Sequence, residues 1–323
     1  MIKKIATFLT IGLTLPFTAS AHVKWFVDTD EILQHQTSSF GITEPRVLVW
    51  IGIVICVLVA AFFLERKTPE PSIYFRRAIK RNESKFLWFF QLVVGIGLVI
   101  GAASGHIIAP TFEVTSNWLI TLQVTQAIIG ALFILNIFVI TASWALILLY
   151  GITAFHFGWL PLLEHLLILG IAIYLLFEKA NTTKEEKRVW DPYRTYGLPL
   201  LRITTGISLV VLAFQEKLLH PDLGLRFLAE HNLNFMHTLG LEWFSNELFV
   251  LSAGMCELLL GLLLITGLLT RISTLVLTLF LIATAIALGI PEITGHIIML
   301  GITFILMVYG AGKTLALRTP PKI

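Results

Sequence analysis

The chain reads as an all-α membrane protein. It should hold nine transmembrane helices after removal of an N-terminal signal: one extra helix, then two tandem, parallel four-helix bundle units. Three observations predict this. Of the 323 residues, 56% are apolar and 13% charged, whereas soluble domains carry about a quarter charged residues. The apolar residues fall in runs of about 17–22, the length that crosses hydrocarbon as a helix. The second half also repeats the first.

The elements follow in order. Residues 1–21 have a basic start (Lys3, Lys4), an apolar stretch from Ile5 to Phe17, and the ending Ala19-Ser20-Ala21. That is the layout of a cleavable secretory signal. The other reading, an uncleaved anchor, fits less well because the stretch is short and contains Pro16. Cleavage places 22–46 outside the membrane as a periplasmic segment beginning at His22. An extra helix over 47–64 comes next, then a basic cytoplasmic loop over 65–85 with seven Lys or Arg. The first unit covers 86–178, with spans near 86–108, 118–140, 142–158 and 162–178. A cytoplasmic linker over 179–198 leads to the second unit, 199–310, with spans near 199–219, 247–267, 272–290 and 294–310. Residues 311–323 form a basic cytoplasmic tail. This layout puts most Lys and Arg on one side, as the positive-inside rule requires. It predicts a bacterial cytoplasmic (inner) membrane protein with the mature N-terminus outside and the C-terminus in the cytoplasm. The lipid bilayer is its first partner. A net charge of +3, concentrated in these loops, has a topological cause and argues against nucleic-acid binding. The two cysteines, Cys56 and Cys256, fall inside spans and offer neither a disulfide framework nor a CxxC motif.

The repeat is read from matched segments. "HLLILG" at 165–170 matches "HIIMLG" at 296–301, and "QAIIG" at 126–130 matches "ELLLG" at 257–261, both offset by 131. Gly95 and Pro110 match Gly206 and Pro221 at an offset of 111. One 20-residue insertion, between Pro221 and Glu257, reconciles the two offsets. Each half has an even number of spans, so the halves run in the same direction and predict pseudo-twofold packing about the membrane normal.

All nine histidines fall outside or at the outer ends of spans on this layout. His165 and His296 are equivalent. His106 aligns with Lys217, and Gln126 with Glu257. The second half thus keeps an ionisable set, Lys217, Glu257 and His296, with Glu216 beside it. The first has His106, Gln126 and His165. Ionisable groups at such depth need partners or a wet cavity. A helix-tying Lys217–Glu257 ion pair is the plainer reading. A quinone headgroup pocket is the sharper one, because it needs a donor, an acceptor and apolar walls. A mature His22 would chelate copper through its amine and ring nitrogen, with His35, His165, His296, His231 or His237 supplying further imidazoles, ligands that suit copper. His231 and His237 are six apart and do not form the usual i,i+4 metal pair. The loop 220–246 is amphipathic and predicts a segment lying on the membrane.

The stretch "LLRITTGISLVVLAFQEKLLHP", followed by "CELLLGLLLITGLLTR", resembles the DoxX/DoxD-like membrane family. The residues that carry the likeness are Leu201, Arg202, Gly206, Lys217, Glu257, Gly261, Gly267, Thr270 and Arg271. It covers about 199–310. The first half joins it only through the repeat and lacks the Arg and Glu. The resemblance implies a four-helix unit. It also implies kinship with subunits of quinone-linked oxidoreductases and with membrane redox-defence assemblies.

Three readings stay open at this level. The first is redox-linked copper binding or handling on a histidine-rich outer face. The second is a quinone-linked oxidoreductase subunit that needs a periplasmic or membrane redox partner for electrons, since the chain has no flavin, haem or thiol motif. The third is a non-enzymatic scaffold, assembly factor or transporter.

Overall fold

A computed structural model describes residues 40–67, 72–179, 184–231 and 233–317. The expected signal over 1–21, His22 and His35 lie outside the described residues. Apart from one short ribbon the described chain is helical. Helix α1 spans Pro45–Lys67, α2 Ile73–Ala103, α3 Asn117–Leu135 and α4 Val139–Phe157. Then come α5 (Trp159–Leu163), α6 (Leu166–Lys179) and α7 (Lys184–Ala213), which runs into a π-helical turn over Phe214–Leu218. Two short helices, α8 (Pro221–His231) and α9 (Phe235–Thr238), precede α10 (Asn246–Thr266), α11 (Thr270–Leu288) and α12 (Ile290–Tyr309). The ribbon pairs β1 (His106–Ile107) with β2 (Ala109–Glu113) between α2 and α3.

Among the described residues seven helices are long and apolar enough to cross a membrane: α1, α2, α3, α4, α7 with its π turn, α10 and α11. Of the other two expected spans, 162–178 forms the shorter helix α6, and 294–310 coincides with most of α12, which has 20 residues. With 14 residues, α6 extends about 21 Å at 1.5 Å per residue. The apolar part of α12 is Ile293–Tyr309. Both sit at the same place in the repeat, and both follow a break: Glu164-His165 before α6, and Gly289 at φ 81° before α12. Much of the basic segment expected as a loop is instead helical, because α2 already begins at Ile73.

Neighbouring long helices pack in chain order: α2 on α3, α3 on α4, α4 on α6, α6 on α7, α7 on α10, α10 on α11, and α11 on α12. Then α12 returns to pack on α2, so the contacts close on themselves. The buried core follows this path, from Phe90, Val94 and Leu98 through Ile129 and Ile171 to Leu201 and Ile302. Outside it, α1 lies along α10. It is tied at one end by Arg46–Glu247 at 2.6 Å and at the other by the Leu269 N–H donating to Glu65 Oε2 at 2.8 Å.

The repeat recurs in the packing. A methyl group on Gly95 would fall 2.5 Å from the Gly130 carbonyl oxygen, and one on Gly206 would fall 2.6 Å from that of Gly261. Small residues allow such backbone approach between membrane helices. Gly170 of α6 packs on Leu201 and Thr204 of α7, and Gly301 of α12 packs on Phe90 and Val93 of α2. These are equivalent residues on equivalent helices. The turns repeat as well. Asn136 and Phe138 take left-handed conformations at φ 56° and 49°, and Gly267 and Leu269 do so at 75° and 46°. Positive φ is uncommon for bulky side chains. Its recurrence 131 positions on identifies one turn used twice.

The Arg202 side chain is fully buried. It donates to the carbonyl oxygens of Ile265 (2.8 Å), Ala311 (3.2 Å), Leu315 (2.5 Å) and Leu264. It therefore caps the last carbonyls of α10, where the regular helix runs out of donors, and ties them to the 311–315 segment. Similarly, Arg271 donates to Met307 and Val308 at the end of α12. Both arginines are structural caps. We expect Arg202→Met to cost about 3 kcal/mol or more, because hydrogen bonds from a charged donor are worth about 1.5–3 kcal/mol each. A thermal midpoint unchanged in detergent would contradict this.

Candidate functional site

The connections place two chemically different ends on the molecule. All seven histidines of the described residues lie at the end where α2, α4, α7 and α11 finish. The other end is basic, with Arg66 and Lys67 closing α1 and Arg76, Arg77, Lys80 and Arg81 opening α2.

Toward the histidine end lies a cavity of about 620 Å³, lined mainly by the second half but closed on one side by Gly97, Gly101, Ile108, Pro110 and Leu167 of the first. Its polar wall contains Glu216, Lys217, Glu257, His296 and His165. Local backbone geometry explains how adjacent residues face the same space. Glu216 and Lys217 ride on the π turn Phe214–Leu218. Such turns are rare, occur mostly as single bulges, and are frequent at functional sites. Lys217 Nζ donates to both carboxylate oxygens of Glu257, at 3.0 and 2.9 Å. The two side chains are only 13% and 18% exposed. Glu216 is 1% exposed. The remaining walls are apolar, from Leu209 and Leu212 of α7 to Phe280 and Leu281 of α11.

The roof is the amphipathic segment 221–244. Part of its apolar face turns inward, while Leu239 and Trp243 stay exposed. Gly224, Phe227, Leu228, Leu233, Met236 and Phe244 line the cavity, and Gly224 packs on Val250 of α10. The polar groups of the roof hold its shape. Asn234 donates to Asn246 Oδ1 at 2.9 Å and to the Phe244 carbonyl at 3.0 Å. His237 Nε2 lies 3.1 Å from that same carbonyl. His231 Nδ1 lies 3.2 Å from the Phe227 carbonyl.

The structure therefore brings together Lys217, Glu257, His296 and His165. It does not bring in His106 or Gln126. The Gln126 amide is used by backbone: its Oε1 accepts from Ile108 N–H at 2.5 Å, and its Nε2 donates to the Leu98 carbonyl at 3.0 Å. The ribbon thus engages Gln126, and its own Ala109 and Pro110 form part of the cavity wall. His106 sits in that ribbon, where burial pushes its imidazole below the usual range and Glu113 partly opposes the shift. His165 packs edge-on against Phe112, with ring centroids 5.5 Å apart. Among the described residues no group of three or more His, Cys, Asp or Glu is placed to hold a metal ion. The roof residues and the apolar wall of α11 were not legible as site residues. The one signal was the insertion in the second half, which is the roof itself.

Seven apolar spans among the described residues define a multi-pass membrane protein, and a cavity of about 620 Å³ lies toward one end of it. Residues 197–289 match the DoxX family model, so the C-terminal half carries a DoxX domain. No curated protein and no solved structure matches the chain.

Proposed function

We propose that this chain is a bacterial inner-membrane protein that binds a quinone in the cavity lined mainly by its second half and works with a redox partner. The observation that carries this reading is a largely buried Lys217–Glu257 pair facing an apolar cavity of about 620 Å³. Pockets for small organic ligands have this composition, mostly apolar with a few convergent polar groups. Lys217 would donate to a ring carbonyl oxygen. Glu257 holds Lys217 in place. His296 and His165 would hold the opposite edge of the ring and carry protons toward the histidine end. A bound quinone supplies two-electron, two-proton chemistry.

The arrangement proposed for the fold is nine spans, with α6 as a shortened crossing, α12 as the ninth, and the two four-helix units related by a pseudo-twofold axis. The histidine end faces the periplasm and the basic end the cytoplasm, in keeping with the positive-inside rule. A C-terminal tag cleaved only from the periplasmic side would overturn that orientation.

The test is binding of a quinone to the purified full-length chain in nanodiscs, followed by tryptophan quenching. His296→Leu should weaken the affinity about tenfold, or about 1.4 kcal/mol, the scale of one lost hydrogen bond. An unchanged affinity would remove His296 from the site.

A further inference from the structure

We infer that the ligand reaches this cavity sideways, from the bilayer, through a slit between α10 and α11. Its class is therefore a membrane-borne amphiphile, a quinone with an isoprenoid tail. This rests on the quinone reading of the same site.

Several wall residues are also surface residues. Cys256 on α10 lines the cavity and is exposed. So do Val276 and Phe280 on α11, at 48% and 46% exposure. A residue that faces both a cavity and the outside marks a place where the cavity breaks the surface. Here the break runs along the flank of two membrane-spanning helices, so what lies outside it is lipid. On the aqueous side the roof buries Leu223, Gly224 and Leu228, and Phe235 is its one exposed lining residue among those described.

The slit is long and polarised. Val276 and Leu288 both line the cavity, and 12 residues of helix separate them, about 18 Å at 1.5 Å per residue. The ionisable groups gather at the histidine end, and the α11 wall below them is apolar except for Thr284. A head at Lys217–Glu257 thus leaves its tail directed down α11 toward the middle of the bilayer. A headgroup-only ligand would leave that groove unfilled.

The two native cysteines make the test. Cys256 sits at the slit, and Cys56 is exposed on α1 away from the cavity. The full-length chain in nanodiscs is alkylated with a lipid-soluble maleimide, and each cysteine peptide is quantified by mass spectrometry. The probes are a fully ring-substituted benzoquinone with an isoprenoid tail and the same ring with methyl in its place. Full substitution prevents addition of the thiol to the ring. The tailed quinone should slow labelling of Cys256 about tenfold and of Cys56 less than about twofold, as expected for a ligand that buries most of its surface in one site. The tail-free ring should protect Cys256 far less. If both quinones bind and neither protects Cys256, lateral entry is overturned while the quinone site stands. If neither quinone binds, the quinone reading falls and this inference with it. If phospholipid composition alone governs protection, the slit belongs to an acyl chain, and the inference is again overturned.

Discussion

Glu257→Ala should lower the stability of the folded protein by about 3–5 kcal/mol, the cost of leaving a buried charge without its partner. The carboxylate receives two hydrogen bonds from Lys217 Nζ, and that ammonium is only 13% exposed. At membrane depth the loss of that carboxylate is costly. A double variant separates structure from function. Lys217→Met with Glu257→Leu removes both charges and keeps the volume, a change that is often neutral or stabilising for a buried pair. We expect its thermal midpoint to return close to that of the unaltered protein. Quinone affinity should remain about a hundredfold down, about 2.8 kcal/mol, since the charged donor and its acceptor are both gone. A pair that serves only to tie α7 to α10 predicts the same recovery of stability with no effect on any ligand.

Gly206→Leu should prevent the second half from assembling. Even a methyl group there meets the Gly261 carbonyl oxygen at 2.6 Å and the Ile265 backbone nitrogen at 2.9 Å. Both are backbone atoms and cannot rotate away. Overpacking usually costs about 1–3 kcal/mol where side chains can adjust. A leucine against backbone should exceed that and force α7 from α10, and the cavity lies between these helices. Gly52→Ala is the matched control. Its Cβ would have nothing within 4 Å, so it should change stability by no more than about 0.5 kcal/mol. The measurement is the yield of monodisperse protein in detergent and its thermal midpoint. Equal behaviour of Gly206→Leu and Gly52→Ala would contradict the close crossing.

Much of this fold could be read from composition and spacing. The offsets of 111 and 131 reappear as paired glycine crossings and as one turn used twice, because close helix approach tolerates few residue types and those types mark the sequence. The breaks at Glu164-His165 and Gly289 were hidden, since hydropathy averages across them while the backbone changes direction. Lys217, Glu257, His165 and His296 were identifiable because ionisable residues are rare in apolar runs. Their convergence on one cavity was not, because it depends on a π turn that lets Glu216 and Lys217 face the same space. The failure of Gln126 to join them has a similar cause. Its alignment with Glu257 is sound, but the ribbon supplies backbone partners that consume its amide. The amphipathic loop was recognised correctly as amphipathic, yet periodicity cannot say whether an apolar face meets lipid or protein. The arginines of the DoxX-like motif are helix caps, which explains why that motif indicates the fold more than the chemistry.

Titration of an isoprenoid-tailed quinone into the full-length protein in nanodiscs, beside the Lys217→Met, Glu257→Leu double variant, tests the central claim most directly. The expected result is saturable binding at one site per chain, weakened about a hundredfold in a variant that remains folded. Equal affinity in the two proteins, or no saturable binding to the unaltered chain, would contradict a quinone site at this ion pair.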